Sequence, residues 1–179
     1  SETPLMVALR LKKYEMAMHL CVVGADLEKQ DALGRTVVHL AVENNDILAL
    51  EFVLKRRPSC ALIADHNGVT PLLQALINKQ HGVAQLLIEL EKSVLTVKNG
   101  LGRTLLHKAV EMEREDIVTF LLGQAVDPNQ ADITVMTPLH TAVELDNIEL
   151  VKVLLASGAD INAQMKSVDS VVFRAKSKT

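Results

Sequence analysis

The chain has 179 residues, of which 49% are hydrophobic and 23% are charged, a balance typical of a folded chain rather than a disordered one. Its formal net charge of −3 provides no global basic field, which argues against binding to a nucleic-acid backbone as the main task. Aromatic residues make up 2% of the chain and the longest apolar runs are short, so we expect an aliphatic core of packed helices and no insertion into a membrane.

A threonine returns along the whole chain with steps of 33, 34, 34 and 33 residues, at Thr3, Thr36, Thr70, Thr104 and Thr137. Each is followed by a short apolar segment with an alanine at a fixed offset, as in TPLHTAV from Thr137. A second apolar stretch with gaps of three and four follows in every copy, and this spacing predicts a short amphipathic helix. These stretches are Met16 to Cys21, Ile47 to Leu54, Val83 to Ile88, Ile117 to Leu122 and Ile148 to Leu155.

The segments between the copies have the residues of turns. DALG, DHNG and NGLG precede three of the threonines, with Asp or Asn leading and Gly closing. Gly24 and Gly158 predict left-handed helix stops, and we expect the fourth copy to stop at Gly123. Val135 stands where the last finger needs a glycine, so we expect that finger to be reshaped or longer. Pro58 is expected to close the second copy.

Each copy is therefore a turn, a helix, a short connection and a second helix. The period and the T-P-L-H-x-A string resemble those of the ankyrin-repeat family over residues 1 to about 164. The resemblance implies an all-α solenoid of stacked helix-turn-helix units with short β-hairpin fingers. The expected repeats span residues 1–30, 31–64, 65–98, 99–131 and 132–164, followed by an irregular tail over 165–179.

The residues of the recurring string have physical roles. Thr137 is placed to cap the first helix of its repeat, and Pro138 to occupy the first turn. The resemblance gives His39, His107 and His140 a hydrogen bond between adjacent turns. Because successive repeats stack too far apart for one ion to reach all three histidines, we expect neither a metal site nor a cofactor.

Members of the family generally bind proteins through the finger tips and the inward face of the first helix. Transferring those offsets gives the finger residues Leu33, Arg35, Asn67, Val69, Leu101, Arg103, Ile133 and Met136. It gives the helix residues Glu43, Asn44, Ile77, Asn78, Glu111, Met112, Glu144 and Leu145. We therefore expect a protein or linear peptide as the partner, with no nucleic acid and no direct membrane insertion.

Two groups within this surface have alternative interpretations. The apolar row consists of Leu33, Val69, Leu101, Ile133 and Met136. It is either an exposed interaction surface or a set of finger tips that contact one another. The acidic row consists of Glu43, Glu111, Glu113, Glu144 and Asp146. It either faces a partner with apolar anchors and basic residues, or is a solvated face.

The tail leaves three alternatives open. It is an irregular cap in which Val171, Val172 and Phe173 cover the last repeat, or a ligand-like segment joined to the repeats, or disordered.

At the other end, the first repeat lacks a preceding finger, which predicts that further repeats come before it in a longer parent chain. Cys21 and Cys60 lie in apolar runs and are expected to be free buried thiols rather than a disulfide.

The repeats favour a non-catalytic protein-interaction scaffold, a piece of a larger adaptor. The alternative is a targeting or regulatory arm of a multidomain enzyme whose catalytic domain lies outside this chain, since no catalytic motif occurs here. The GRTLLHKAVE segment and the irregular repeat exits are also similar to the endosomal ankyrin-repeat proteins that carry BTB and FYVE domains. That resemblance implies a Rab effector, located in the cytoplasm at the endosome surface.

Overall fold

The structure is a computed structural model that describes residues 2–164, and the predicted tail over 165–179 lies outside the described residues. Within the described range the chain is all-α, as expected, but it has no β-sheet, so the fingers are turns and the expected β-hairpins are wrong there. An isolated antiparallel bridge between Lys98 and Thr104 is the one strand-like pairing described there. The ten α-helices of residues 2–164 are α1 (Pro4–Arg10), α2 (Tyr14–Val22), α3 (Val37–Glu43), α4 (Ile47–Leu54), α5 (Pro71–Ile77), α6 (His81–Leu90), α7 (Leu105–Glu111), α8 (Glu115–Gly123), α9 (Pro138–Glu144) and α10 (Ile148–Ala156).

The first compact unit is Ser1–Val97. It contains three helix pairs, in which α1 packs on α2, α3 on α4, and α5 on α6, while α1, α3 and α5 stack in succession. Leucines fill its core, and Leu5, Leu50, Leu54, Leu72 and Leu87 are fully buried. None of these helices exceeds ten residues, so burial of their apolar faces against neighbouring pairs stabilises them more than helix propensity does.

The second compact unit is Lys98–Thr179. Its described part holds two helix pairs, α7 with α8 and α9 with α10, and α7 also packs on α9. Leu106, Ile117, Leu121, Leu150 and Leu154 are the largest fully buried side chains of its core. None of the helices described in either unit is long and apolar enough to span a membrane. The repeat boundaries given above stay a prediction.

The threonines begin the first helix of each pair. The hydroxyl oxygen of Thr3 accepts a hydrogen bond from the backbone N–H of Met6 at 3.2 Å, and Thr70 does the same for Leu73 at 3.3 Å. Thr137 also precedes its helix with an extended backbone, and Pro138 occupies the first helical position. Thr3 and Thr70 thus cap their helices, since the first N–H groups of a helix have no partner inside it, while Thr137, for which the role was predicted, stands at the capping position.

Between the two helices of each pair, one residue takes a left-handed backbone conformation that the sequence analysis missed. These residues are Lys12 (φ 55°), Asn45 (φ 50°), Lys79 (φ 57°), Glu113 (φ 52°) and Asp146 (φ 54°). All five stand nine positions after a repeat threonine, so the period carries the same backbone turn through every repeat. Asn and Asp tolerate this conformation, whereas Lys and Glu lose about 1 kcal/mol of stability there.

The second helices end in two ways. Gly24 (φ 95°) and Gly158 (φ 90°) are left-handed, which confirms the predicted helix stops. α8 ends at Gly123 as predicted, but the left-handed conformation is taken two residues later by Ala125 (φ 57°), at the position equivalent to Gly24. The second and third repeats end instead in short 3-10 helices, Pro58–Leu62 and Lys92–Leu95.

Both cysteines are free thiols in the structure, as expected. Cys60 is completely buried, and its thiol lies 3.5 Å from the carbonyl oxygen of Leu27. Cys21 is half-buried rather than buried. Burial raises the pKa of Cys60 to about 11, so its thiol stays protonated at neutral pH.

Candidate protein-interaction surface

Each finger is a turn organised by one Asp or Asn side chain. A side-chain oxygen of Asp31 accepts hydrogen bonds from the backbone N–H groups of Leu33 and Arg35, at 2.8 and 2.9 Å. Asp132 accepts equivalent bonds from Thr134 and Met136, at 2.8 and 3.0 Å. Asp65 and Asn99 repeat the same pattern in the two fingers between them. This is why Asp or Asn leads every turn segment, since its side chain can satisfy two N–H groups of the turn.

The last finger keeps this shape despite its missing glycine, so the expectation that it is reshaped or longer is wrong. Val135 adopts φ 65°, close to the 73° to 79° of the glycines at the same place in the other fingers. The backbone N–H of Val135 donates to the carbonyl of Asp132 at 3.0 Å, as that of Gly102 does to Asn99 at 2.8 Å. The finger therefore holds a β-branched residue in a strained conformation, at a cost of about 1–3 kcal/mol.

Neighbouring finger tips touch through their backbones. The N–H of His66 donates to the carbonyl of Leu33 at 3.1 Å in the first unit, and Ile133 donates to Leu101 at 3.0 Å in the second. The side chains of Leu33, Leu101 and Ile133 nevertheless remain 57%, 53% and 63% exposed. Val69 and Met136, the other two members of the apolar row, are half-buried. The apolar row is thus exposed at three of its five positions.

The histidines link adjacent repeats as the resemblance implies. Nε2 of His39 lies 3.0 Å from the carbonyl oxygen of Val69, and Nε2 of His107 lies 3.1 Å from that of Met136. Because a carbonyl only accepts, Nε2 carries the proton, and Nδ1 accepts from the backbone N–H of Thr36 or Thr104. Burial of the rings lowers the pKa of both histidines, so both rings are held neutral.

His140 repeats the contact inside its own turn. Its Nδ1 accepts from the N–H of Thr137 at 3.1 Å. A carbonyl one repeat further along the chain would belong to the residues outside the described range. The link to an adjacent turn therefore stays a prediction for His140.

The acidic row is not a series of free carboxylates. Arg35 donates to Glu43 at 2.9 Å, and Arg103 forms an ion pair with Glu111. The side-chain amide of Asn147 donates to Glu113 at 2.9 Å. Three of the five acids therefore already have partners within the chain, and the contact of the row with a partner stays a prediction.

Arg103 also binds the buried Asp132 of the next finger, with 3.1 Å between Nε and Oδ2. Burial alone would raise the pKa of Asp132, but hydrogen bonds from Thr134, Met136 and Arg103 hold it at about 2. The carboxylate is therefore ionised at neutral pH. Arg103 is thus a structural link between two fingers as well as a surface residue, a role the sequence analysis did not assign to it.

The helix residues proposed for partner contact share one structural position. Each pair consists of the last residue of a first helix and the capping residue that follows it. Asn44, Asn78, Glu144 and Leu145 are exposed, while Ile77 and Met112 are half-buried. In each unit the candidate residues lie at equivalent places on successive repeats. Asn67, between the finger residues His66 and Gly68, is exposed.

No metal centre is formed by the residues that the structure describes, since no group of three or more His, Cys, Asp or Glu side chains could hold an ion there. The chemistry available on this surface is that of contact, with exposed apolar side chains, paired charges and amide groups.

A family model for ankyrin repeats matches the chain in three overlapping copies, over residues 5–97, 60–132 and 91–165. Rabankyrin-5 of Mus musculus is 30% identical over 139 residues, which is 76% of this chain and 12% of that protein. Neurogenic locus notch homolog protein 1 of Homo sapiens is 30% identical over 137 residues, again 76% of this chain and 5% of that protein. The chain therefore spans a small part of the length of these relatives.

Among solved structures, the ankyrin repeat domain of Bcl-3, described as a unique member of the IkappaB protein family, is similar with a TM-score of 0.73. The two chains share 27% sequence identity, and the similarity covers 93% of this chain and 76% of the other.

Proposed function

Because the chain belongs to the ankyrin-repeat family, whose repeats generally mediate protein–protein interaction, we propose that it is a non-catalytic scaffold. It binds a partner protein or linear peptide through its finger tips and the ends of its first helices. The chain acts as part of a larger adaptor in the cytoplasm.

One observation carries this proposal. In the second unit, the finger tips Leu101 and Ile133 are joined by a backbone hydrogen bond, yet both side chains are more than half exposed. Because a little over half of each side chain is still exposed, its full burial by a partner contributes roughly 1–2 kcal/mol. Because the backbone holds them at a fixed spacing, a partner does not have to order them on binding.

A location at the endosome surface is a finer part of the proposal. It is supported by the resemblance to the endosomal ankyrin-repeat proteins and by the similarity to Rabankyrin-5 at 30% identity. A fluorescently tagged chain is expected to overlap with endosomal markers in cells. A uniform distribution through the cytosol would contradict this location and would leave the scaffold proposal standing.

The scaffold proposal is tested by affinity purification with quantitative mass spectrometry. The wild-type chain is compared with a Leu101→Ser, Ile133→Ser double variant and with a control, Ile148→Ser, which removes an equally exposed apolar side chain from α10. We expect proteins that are retained by the wild type and the control but depleted at least fivefold on the double variant. Equal retention on all three chains would refute the role of the finger tips.

A further inference from the structure

A pair of positions changes together from repeat to repeat. One stands immediately before the repeat threonine, in the finger, and the other is the last residue of the first helix, seven positions after the threonine. In the first repeat Glu2 and Arg10 form an ion pair at 3.1 Å. In the second repeat the charges are exchanged, and Arg35 binds Glu43 at 2.9 Å.

The next two repeats obey the same rule. The third has Val69 and Ile77, which are both apolar and half-buried, and the fourth has the ion pair of Arg103 with Glu111. Four repeats therefore match the finger residue to the helix residue in charge or in polarity. The match means that a carboxylate at the helix end has a cation from its own finger.

The fifth repeat breaks this rule. Its finger position is Met136, while its helix position keeps a carboxylate, Glu144. Glu144 is exposed, and no ion pair or hydrogen bond of its side chain occurs within residues 2–164. The repeat thus keeps the acid of the helix position but has a methionine at the finger position, where two other repeats hold an arginine.

An apolar pocket of about 300 Å³ adjoins this carboxylate. Val143 and Ile161 are 62% and 72% exposed beside it, and Asp160 adds a second carboxylate to its wall. No Lys or Arg is among the described residues that line it. The pocket is lined by Leu139, His140, Val143, Glu144, Ile161 and Ala163, together with Asp160.

We propose that this pocket and Glu144 together bind a linear segment of a partner protein in which an apolar side chain stands next to a Lys or Arg. The apolar side chain fills the space between Leu139, Val143 and Ile161. The cation takes the place next to Glu144 that Arg35 and Arg103 occupy next to Glu43 and Glu111. This inference rests on the proposed function and adds to it a defined site and a partner chemistry.

Charge complementarity identifies the occupant. The described residues around the apolar pocket include two carboxylates and no Lys or Arg. They therefore favour a partner segment with a basic residue next to its apolar side chain, and they disfavour one with an acidic residue there. A purely apolar segment would fill the pocket but leave Glu144 unpaired, so the carboxylate adds selectivity for the basic residue. Because such an ion pair at the rim of a site is solvent-exposed, its contribution to affinity is modest, while the apolar contact contributes more.

The test begins with a phage-displayed library of random decapeptides, selected on the full chain and read by sequencing. We expect the enriched sequences to carry an apolar residue beside Lys or Arg. The most enriched peptide is then synthesised, labelled with fluorescein and titrated by fluorescence anisotropy against the wild-type chain and its variants.

Three variants separate the site from the rest of the surface. Met136→Arg supplies the missing finger arginine, pairs with Glu144 inside the chain and is expected to weaken binding of the peptide about fivefold. Glu144→Gln removes the charge and is expected to weaken binding about two- to fivefold. The control Glu149→Gln makes the same chemical change at an exposed position of α10 that pairs with Lys152, and is expected to alter the affinity less than twofold.

The outcomes distinguish this inference from the proposed function. If enriched peptides lack a basic residue beside the apolar one, or bind Met136→Arg and Glu144→Gln as tightly as the wild type, this site is overturned and the scaffold function stands. If the chain selects no peptide and also retains no protein through Leu101 and Ile133, the proposed function itself fails. If the peptide binds only after Phe173→Ser and Arg174→Ser substitutions, the occupant is the chain's own C-terminal segment, and a partner peptide is overturned.

Discussion

Gly34 is the finger glycine whose replacement is expected to be most damaging to the first unit. It has φ 79°, and a Cβ added to it would lie 2.5 Å from both the backbone nitrogen and the Cδ2 of His66. Gly68, at the same place in the next finger, has φ 74° and no atom within 4 Å of the corresponding Cβ. The two glycines therefore separate the conformational effect of an alanine from its steric effect.

The conformational part is common to both positions. A left-handed alanine is strained by about 1–2 kcal/mol, and this is partly offset by the smaller entropy of the unfolded chain, which leaves a loss of about 1 kcal/mol for Gly68→Ala. At Gly34 the new Cβ must also separate from the His66 backbone by about 1 Å, since ordinary contacts begin near 3.4 Å. That shift breaks the 3.1 Å hydrogen bond from His66 to Leu33, which costs about 1–2 kcal/mol more.

We therefore expect Gly34→Ala to lower the free energy of unfolding by about 2–3 kcal/mol, and Gly68→Ala by about 1 kcal/mol. Urea titrations followed by circular dichroism at 222 nm measure both, with the midpoint and slope compared to those of the wild type. Equal losses in the two variants would refute the argument, because they would show that the contact between the fingers of Gly34 and His66 contributes nothing to stability.

Three further predictions concern backbone strain, protonation and thiol reactivity. Ala125→Gly should raise the free energy of unfolding by about 1 kcal/mol, because Ala125 is exposed and left-handed, and an unchanged urea midpoint would contradict this. Because burial lowers the pKa of His39 and His107, their contribution to stability is complete above the unfolded pKa of about 6.5 and is lost as pH falls below it. The wild type should therefore lose more stability between pH 7 and pH 5 than a His39→Gln variant, and parallel pH profiles in urea titrations would count against this. Because Cys60 is buried and its pKa is about 11, its thiol should react with a disulfide reagent at pH 8 only when the protein unfolds. The half-buried thiol of Cys21 should react first, and equal reaction rates of the two thiols in native buffer would contradict this.

The period of the threonine string was enough to predict the helices, because each repeat is a local unit whose apolar spacing is set by its own residues. α4 begins and ends at Ile47 and Leu54, the same residues as the predicted apolar stretch. The hydrogen bonds of His39 and His107 were implied by the resemblance to the ankyrin-repeat family. The helices depend on apolar contacts that the copies make in the same way.

The errors arise where one residue departs from its copies. Val135 was expected to change the shape of the last finger. Five hydrogen bonds within the turn stabilise it more than the strain of one residue destabilises it, so this finger keeps the same backbone conformation as the others. Ala125 was overlooked because the nearby Gly123, where α8 does end, offered a more familiar helix stop. At both places the residue type suggested a departure from the repeat, whereas alignment to the period identifies the position with positive φ.

Comparing equivalent positions of successive repeats also locates the candidate binding surface better than the type of each residue does by itself. Glu43, Glu111 and Glu144 look alike in the sequence, but Arg35 and Arg103 make two of them internal ion pairs. The arginine and the glutamate of each pair stand eight residues apart, a spacing that no single helix or turn brings together, so the pairing became visible only with the finger folded onto the end of the helix. Because the contacts that all repeats share are already used in stacking, recognition of a partner must depend on positions where one repeat differs. Met136 beside Glu144 is such a position, and an arginine placed there would turn the fifth repeat back into a copy of the second and fourth.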